Sequence, residues 1–250
     1  MILEALQYAA TVPVTRKEFR PHVRSSVSLW SRANRCAKAW ASHEENCQSF
    51  IREAISGMKQ KRTAVVLGSG LLRDVPVTDL ASAFDTVVLV DLVHLATVRA
   101  WLSAKRLRNV RLISRDLSGF EDARAGRTPE PLAFLRQVPY LDLVVSANIL
   151  SQIGVGCQRR LEREGHAAPG PILKTLAQAH LDGILQQPCK TVLLTDIRYA
   201  VTDRSGTLID DGDLLFGATP PARKQEWSWP VAPFGELNRD SQAVHTVIAA

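Results

Sequence analysis

No stretch of this sequence approaches the ~18 consecutive apolar residues that a membrane-spanning helix needs, so a membrane span is not expected. The first residues lack a basic segment followed by a long apolar core, and no secretory signal is expected either. Cysteine is scarce. Cys36, Cys47, Cys157 and Cys189 stand apart with no CxxC spacing, which argues against a disulfide framework or a zinc site and fits a reducing cytoplasm. Internal repeats and low-complexity tracts are also missing. What remains is a chain of 250 residues, long enough to bury a substantial core as one large domain or as one domain with an appended segment.

The net charge is +6, unevenly spread. Residues 1–62 carry 11 Lys and Arg against 5 Asp and Glu, leaving 20 of each sign in the rest. Such a basic leader suits an anionic substrate, nucleic acid or a membrane surface, and equally a solvated helical face.

The most informative stretch is 63–91, TAVVLGSGLLRDVPVTDLASAFDTVVLVD. An apolar strand (64–67) runs into a glycine turn (Gly68, Ser69, Gly70), then a helical segment, then a second apolar strand (87–90) that ends on Asp91. Two buried parallel strands joined by a crossover are the expected product. Glycine suits a tight turn at a strand's carboxyl end because it lets a ligand approach the backbone. Asp91 follows Gly68 at close to the spacing of roughly 20 residues from which an acid reaches a ribose hydroxyl. The stretch reads as a nucleotide or nucleoside cradle.

Around it the chain alternates. Ahead lie a short helix over 3–10, a basic loop, one or two helices over 26–40, and a helix whose start is marked by the capping-box spacing of Ser42 and Glu45. Residues 1–60 are thus expected as a helical cap or lid, and 61–250 as the ligand-binding domain. After Asp91, a helix over 92–107, a third strand over 110–113 and a charged connection with a helix near 131–136 are expected. A fourth strand (141–145), helices over 152–163 and 172–185 separated by a break at 166–171, and a fifth strand (191–194) follow. Strands alternating with helices in this way predict an open, doubly wound, mostly parallel α/β sheet. The tail differs, with β-like segments at 227–231 and 243–249 that predict a terminal antiparallel hairpin.

The acids and glycines fall at the carboxyl ends of successive strands, where open α/β sheets bind ligands. In this the chain resembles the class I S-adenosylmethionine-dependent methyltransferases over roughly residues 63–250. The resemblance implies a seven-stranded sheet with its last strand antiparallel, S-adenosyl-L-methionine as cofactor, and methyl transfer to an acceptor. VVLGSG (65–70) looks like the glycine-rich motif beside the methionine part of the cofactor. Asp91 matches the acid on the ribose hydroxyls, Leu92 the apolar neighbour of adenine, Asp116 the acid near its exocyclic amine and Leu117 a backbone N–H donor. SANILSQI (146–153) looks like the segment after the fourth strand, placing Ser146 and Asn148 near the reactive methyl. The family's acid two residues before the first glycine is replaced by Val66, and its third glycine by Leu72. Arg73 and Asp74, just before Pro76, are candidates to replace the missing acid, Arg73 by pairing with the cofactor carboxylate or Asp74 with its amine.

Substrate contacts are expected from Asn148, Asp196, Trp229 and Glu236, each with a loop or packing role as its alternative. His180, in line with Leu173, Leu176 and Ile184, reads as a packing residue, and His94 as either a neighbour of adenine or a solvent-facing position. Methyl transfer is an in-line displacement that relies on positioning, and a base is required only if the acceptor must lose a proton. The residues after the fourth strand lack the NPPY-like pattern of base-amine methylation, so a small-molecule acceptor is favoured over nucleic acid. Three alternatives stay open. They are an aminopropyltransferase, for which SANILSQI lacks an acid; an NAD-dependent enzyme, for which GxGxxG is incomplete and Tyr199 is followed by no YxxxK lysine; and a non-catalytic basic adaptor or nucleic-acid binder on a degenerate cofactor fold. Oligomeric state is not legible.

Overall fold

In the computed structural model, residues 2–165 and 170–250 are described. The leader folds as α1 (Ile2–Thr11), two 3-10 turns (Val12–Val14 and Lys17–His22), α2 (Val23–Arg35) and α3 (Ala37–Ser56). The core then alternates: β1 (Thr63–Leu67), α4 (Val77–Ala83), β2 (Thr86–Asp91), α5 (Ala96–Ala104), β3 (Val110–Ser114), α6 (Phe120–Arg124), a 3-10 turn (Ala133–Gln137), β4 (Leu141–Ala147), α7 (Leu150–Arg163) and α8 (Gly170–Leu185). The chain ends with β5 (Lys190–Asp203), β6 (Leu208–Asp213), β7 (Gln225–Ala232) and β8 (Ser241–Ala249).

The strands form one sheet in the order β3-β2-β1-β4-β5-β8-β7, with β6 paired to β5 off that path. The first five are parallel, whereas β8 is antiparallel to β5 and β7 antiparallel to β8. Every residue of β1 is buried, as an apolar strand covered on both faces requires. Alternate residues divide between two cores: Ala64 and Val66 join residues of α2 to α5 on one face, while Val65 and Leu67 join α7 and α8 on the other. Cys47, Phe50, Ile51 and Ile55 make α3 part of the first core. Ile51 is wholly buried there, and removing such a side chain from water is worth about 2 kcal/mol. Among the described residues no helix is long and apolar enough to cross a membrane.

The expected α/β architecture and terminal hairpin are present, with several local differences. The sheet has eight strands instead of seven because β6 adds to it. Its partner β5 does not stop at Asp196 but continues to Asp203, since the alternation of Tyr199 and Val201 supplies further strand positions up to the turn at Gly206. Ser42 caps nothing. The buried stripe of α3 starts at Trp40 and continues through His43 and Cys47, so Ser42 is an exposed position inside an unbroken helix. The helix after Asp91 begins only at Ala96, because the chain first dips inward to bury Val93 and His94. Residues 166–169 of the expected break lie outside the described residues.

Candidate active site at the carboxyl edge of the sheet

The turn after β1 is built by two glycines with different tasks. Gly68, at φ +76°, donates its N–H to the Val90 carbonyl at 2.9 Å and so ties β1 to β2. A Cβ placed on it would lie 2.5 Å from Ile149 Cβ and 2.9 Å from the Ala147 carbonyl oxygen. Glycine is required here for the loop after β4 to close on the turn, not for ligand approach. Gly70, at φ +47°, has only the Gly68 carbonyl near its missing Cβ, at 3.8 Å, so its open side is available to a ligand. Leu72 adopts φ +61°, the conformation a third glycine would take without strain, at a cost of about 1–2 kcal/mol.

Asp91 organises the turn from β2. One carboxylate oxygen accepts from the Gly70 N–H at 2.8 Å and the other from the Leu92 N–H at 2.7 Å. Burial pushes its carboxyl above the usual range, against the pull of His94 and these amides. A carboxylate has about four acceptor sites, so the Gly70, Leu92 and Val93 amides leave capacity for one further donor. Ser69 Oγ, in the same turn, is buried without a partner among the described residues.

Arg73 and Asp74 part company. Arg73 makes a fork to Glu44 of α3, at 2.6 and 3.2 Å. Asp74 accepts from Asn148 Nδ2 at 2.6 Å, and burial raises its pKa to about 6. Asn148 sits at φ +50°, its N–H held by the Leu194 carbonyl at 2.9 Å, and its Oδ1 is buried without a partner among the described residues.

Beyond Asn148 the site is aromatic. His43 of α3 stacks on Trp229 of β7 and lies 3.4 Å from Asn148 Nδ2. The indole N–H of Trp227 donates to His43 Nδ1 at 3.1 Å. That bond places the histidine's own proton on Nε2, which lies 3.7 Å from the Cys47 sulfur. Burial lowers the His43 pKa to about 4, so the ring is neutral at pH 7. Trp40 meets Trp229 edge-on at 5.1 Å, and the Trp229 N–H is buried without an acceptor among the described residues. On the far side of Trp229, at 5.7 Å, is His245 of β8. Its Nδ1 meets Asp196 Oδ2 at 2.5 Å, and the other Asp196 oxygen accepts from the Ser151 hydroxyl.

Thus Gly70, Ser69, Asp91, Asp74 and Asn148 converge at one end of the site, and Trp229 and Asp196 at the other. Six further expected residues are placed as follows. Ser146 is wholly buried, with its hydroxyl 2.9 Å from His180 Nε2, so it faces α8 and not the reactive end. Asp116 is exposed and accepts from the Ser118 N–H at 2.8 Å, closing a turn, while Leu117 is buried in the core against α7 and α8. Leu92, half-buried, packs against the other core. Glu236, in the turn between β7 and β8, is taken up by Arg32 at 3.1 Å and Arg35 at 2.7 Å, which fastens the hairpin to α2. His94 is buried, with Nε2 3.1 Å from the Ile113 carbonyl, instead of facing solvent.

Sequence reading missed His43, Ser151 and His245. His43 was legible in the spacing of Trp40, His43 and Cys47 on one helical face. His245 was not, because only the pairing of β8 with β5, which sets His245 opposite Tyr199, brings it to Asp196. A groove of about 810 Å³ lies elsewhere, between residues 128–141 and α8, near the amino end of β4. Ser69 Oγ, Asn148 Oδ1 and the Trp229 N–H, buried with no partner among the described residues, lie instead toward the carboxyl end. Among the described residues no group of three or more His, Cys, Asp or Glu could hold a metal ion.

No protein-family model and no curated protein matches the chain. It is similar to solved structures at low identity. These include a SAM-dependent methyltransferase from Aquifex aeolicus (10% identity over 81% of this chain and 89% of that one, TM-score 0.34). The N-methyltransferase NodS from Bradyrhizobium japonicum WM9, in complex with S-adenosyl-L-homocysteine, is similar at 14% over 82% and 86%, TM-score 0.37. An rRNA methylase from Streptococcus thermophilus is similar at 10% over 80% and 92%, TM-score 0.33. The strand order itself, five parallel strands followed by an antiparallel terminal pair, makes this an open Rossmann-like α/β sheet.

Proposed function

We propose that this protein is an S-adenosylmethionine-dependent methyltransferase that transfers a methyl group to a small-molecule acceptor by in-line displacement. The observation that carries the reading is the cradle at the ends of β1, β2 and β4. There Asp91 keeps unused acceptor capacity, Gly70 presents an open backbone, and Ser69 Oγ and Asn148 Oδ1 are buried with no partner among the described residues. Buried polar atoms without partners are rare and expensive, and a nucleoside with an amino-acid tail supplies the groups that satisfy them. The residues therefore fit the cofactor. Asp91 would hold the ribose hydroxyls, and Gly70 and Ser69 would line the methionine part. Asp74, with Asn148, would receive the ammonium group, taking over from the acid that Val66 replaces.

When bound, the cofactor supplies an electrophilic methyl on a sulfonium. The protein's part is to hold the acceptor in line and to exclude water, and the wall of His43, Trp40, Trp227 and Trp229 does both. Residues 1–60 serve as a cap on the cofactor-binding domain, 61–250, with α3 placing His43 and Glu44 over the site. The leader's charge supports a small acceptor over nucleic acid, because Arg16, Arg32, Arg35, Arg52 and Arg62 are all engaged in ion pairs within the chain. All four cysteines are free, which supports work in the cytoplasm.

Calorimetric titration with S-adenosylmethionine, S-adenosylhomocysteine and NAD tests the reading. Binding of the first two and not the third is expected, and Asp91→Asn weakens it at least tenfold. No heat from either sulfur nucleoside would sink the reading.

A further inference from the structure

The helix α1 is built inside out. Its two buried residues are polar: Gln7 Nε2 donates to Thr97 Oγ1 at 2.7 Å, and Thr11 Oγ1 accepts from the Ala96 N–H at 3.1 Å, so hydrogen bonds dock α1 on the first turn of α5. Its one charged side chain, Glu4, is half-buried and accepts from the Ser31 hydroxyl of α2. The outward positions are apolar instead. Ile2 is 79% exposed, Leu3 68% and Leu6 61%, with exposed Ala5, Tyr8 and Ala9 beside them. A helix of a globular protein turns its apolar stripe to the core, and clustered exposure of this kind marks an interaction surface. Trp101 adds to it, being exposed one turn on from Thr97 along α5. Cations flank the apolar residues. Lys17, Arg20 and Arg24 follow α1, and Lys105, Arg106 and Arg108 follow Trp101; all six are exposed, and none has an ion-pair partner among the described residues. Between Asp91 and Asp116 the chain has no acid.

We propose that α1 and the outer face of α5 form a docking surface for an anionic lipid bilayer, with Ile2, Leu3 and Leu6 entering the acyl boundary and the flanking lysines and arginines meeting the headgroups. Charge and shape choose this occupant. A second copy paired symmetrically across α1 would set these unpaired cations against their own counterparts with no acids to oppose them. Nucleic acid would use the cations but leave the aliphatic centre in water, since its phosphates and bases are met by charge and by stacking rings. An anionic bilayer satisfies both parts at once. Tyr8 and Trp101 are the aromatic types that settle at headgroup level, and Lys105 Nζ lies 5.9 Å from the Trp101 ring, beside it at that level. With ten residues, α1 has about half the length of a membrane span, so it lies along the interface and does not cross it. This inference does not rest on the methyltransferase reading.

Flotation of the full-length protein with vesicles of phosphatidylcholine alone, and of equal parts phosphatidylcholine and phosphatidylglycerol, tests the assignment. Capture by the mixed vesicles is expected, about tenfold or more stronger than by phosphatidylcholine alone and weakened by salt. Leu3→Gln with Leu6→Gln should lower capture by about tenfold or more without moving the melting temperature, because both side chains already face water. Lys105→Gln with Arg108→Gln should lower capture by the mixed vesicles only. Independently of these variants, mixed vesicles with brominated acyl chains should quench the tryptophan fluorescence of the wild type, and Trp101→Phe should remove that quenching. No capture by the mixed vesicles overturns the proposal, as does capture that the leucine substitutions leave intact. A dimer in sedimentation velocity that the leucine substitutions dissociate, with no vesicle capture, would overturn it in favour of a second copy. Salt-sensitive binding of an oligonucleotide, again with no vesicle capture, would overturn it in favour of nucleic acid.

Discussion

His43 and Trp229 stack face to face, ring centroids 4.0 Å apart and 6° between planes, and so join the helical leader to the terminal hairpin across the site. His43→Phe keeps a ring on Trp229 but orphans the Trp227 N–H, at about 1–3 kcal/mol. His43→Ala loses the stack as well and should cost more. The sign of the pH effect follows from the lowered pKa. The unfolded chain binds the proton near pH 6.5 and the folded one only near 4, so the His43 contribution is present above 6.5 and is lost as pH falls toward 4. Asp74, raised to about 6, acts in the opposite direction, so wild type and variant must be compared. Denaturant melts at pH 7 and pH 5.5 should show wild type losing about 1 kcal/mol more than His43→Phe. Equal losses would remove His43 from this role.

The two glycines of the turn should separate stability from binding. Gly68→Ala sets a Cβ against Ile149 and the Ala147 carbonyl at a positive φ and should destabilise by about 3 kcal/mol or more. Gly70→Ala meets open space and only the strain of its backbone, about 1 kcal/mol. Its methyl group instead intrudes on the ligand side. Thermal melts should rank Gly68→Ala well below Gly70→Ala, and calorimetry on the folded Gly70→Ala protein should show weakened S-adenosylmethionine binding. Reversal of that order would contradict the division of labour.

The alternation of strands and helices was legible because apolar runs bounded by glycine and acids report burial on two faces, and β1, β2 and Asp91 stand where the sequence puts them. Less was legible where pairing decides. Residues 208–213 are exposed along most of their length and carry three aspartates, so no apolar pattern marks β6. Ser146 and Asn148 would share one face of a continued strand, yet β4 ends at Ala147 and the left-handed backbone of Asn148 turns its side chain to Asp74 while Ser146 meets His180. Arg73 and Asp74 are adjacent, and only the position of α3 assigns one to Glu44 and leaves the other to Asn148.

That assignment gives a sharp contrast. Arg73 is neutralised by Glu44 in a two-point fork, whereas Asp74 is a half-buried carboxylate that accepts from Asn148 and its own backbone N–H and has no cationic partner among the described residues. Arg73→Ala is therefore expected to leave S-adenosylmethionine affinity within twofold and to cost stability through the unpaired Glu44. Asp74→Asn should lower affinity by about tenfold or more, one charge-assisted hydrogen bond being worth about 1.5–3 kcal/mol. Paired titrations at pH 7.5, where Asp74 is ionised, measure both. Affinity lost in the arginine variant and retained in the aspartate variant would move the ammonium contact away from Asp74.

Glu236 is the acid that the fold uses as a fastener. Its side chain is 9% exposed and accepts from both Arg32 and Arg35, and the arginine contacts hold its carboxyl below the usual carboxylate range. A lowered carboxylate pKa contributes stability at neutral pH and loses it as pH falls through the folded value. Glu236→Gln removes that contribution, and we expect a loss of about 1 kcal/mol at pH 7, since both arginines are substantially solvated. The loss should shrink as pH falls through the lowered pKa of the wild-type carboxyl. Because the turn between β7 and β8 carries Glu236 while β7 carries Trp229, loosening it should also raise the acceptor KM and leave cofactor affinity unchanged. Steady-state kinetics with varied acceptor, beside calorimetry with S-adenosylmethionine, separates these effects: a change confined to cofactor binding would place Glu236 in the cradle and not at the hairpin's anchor.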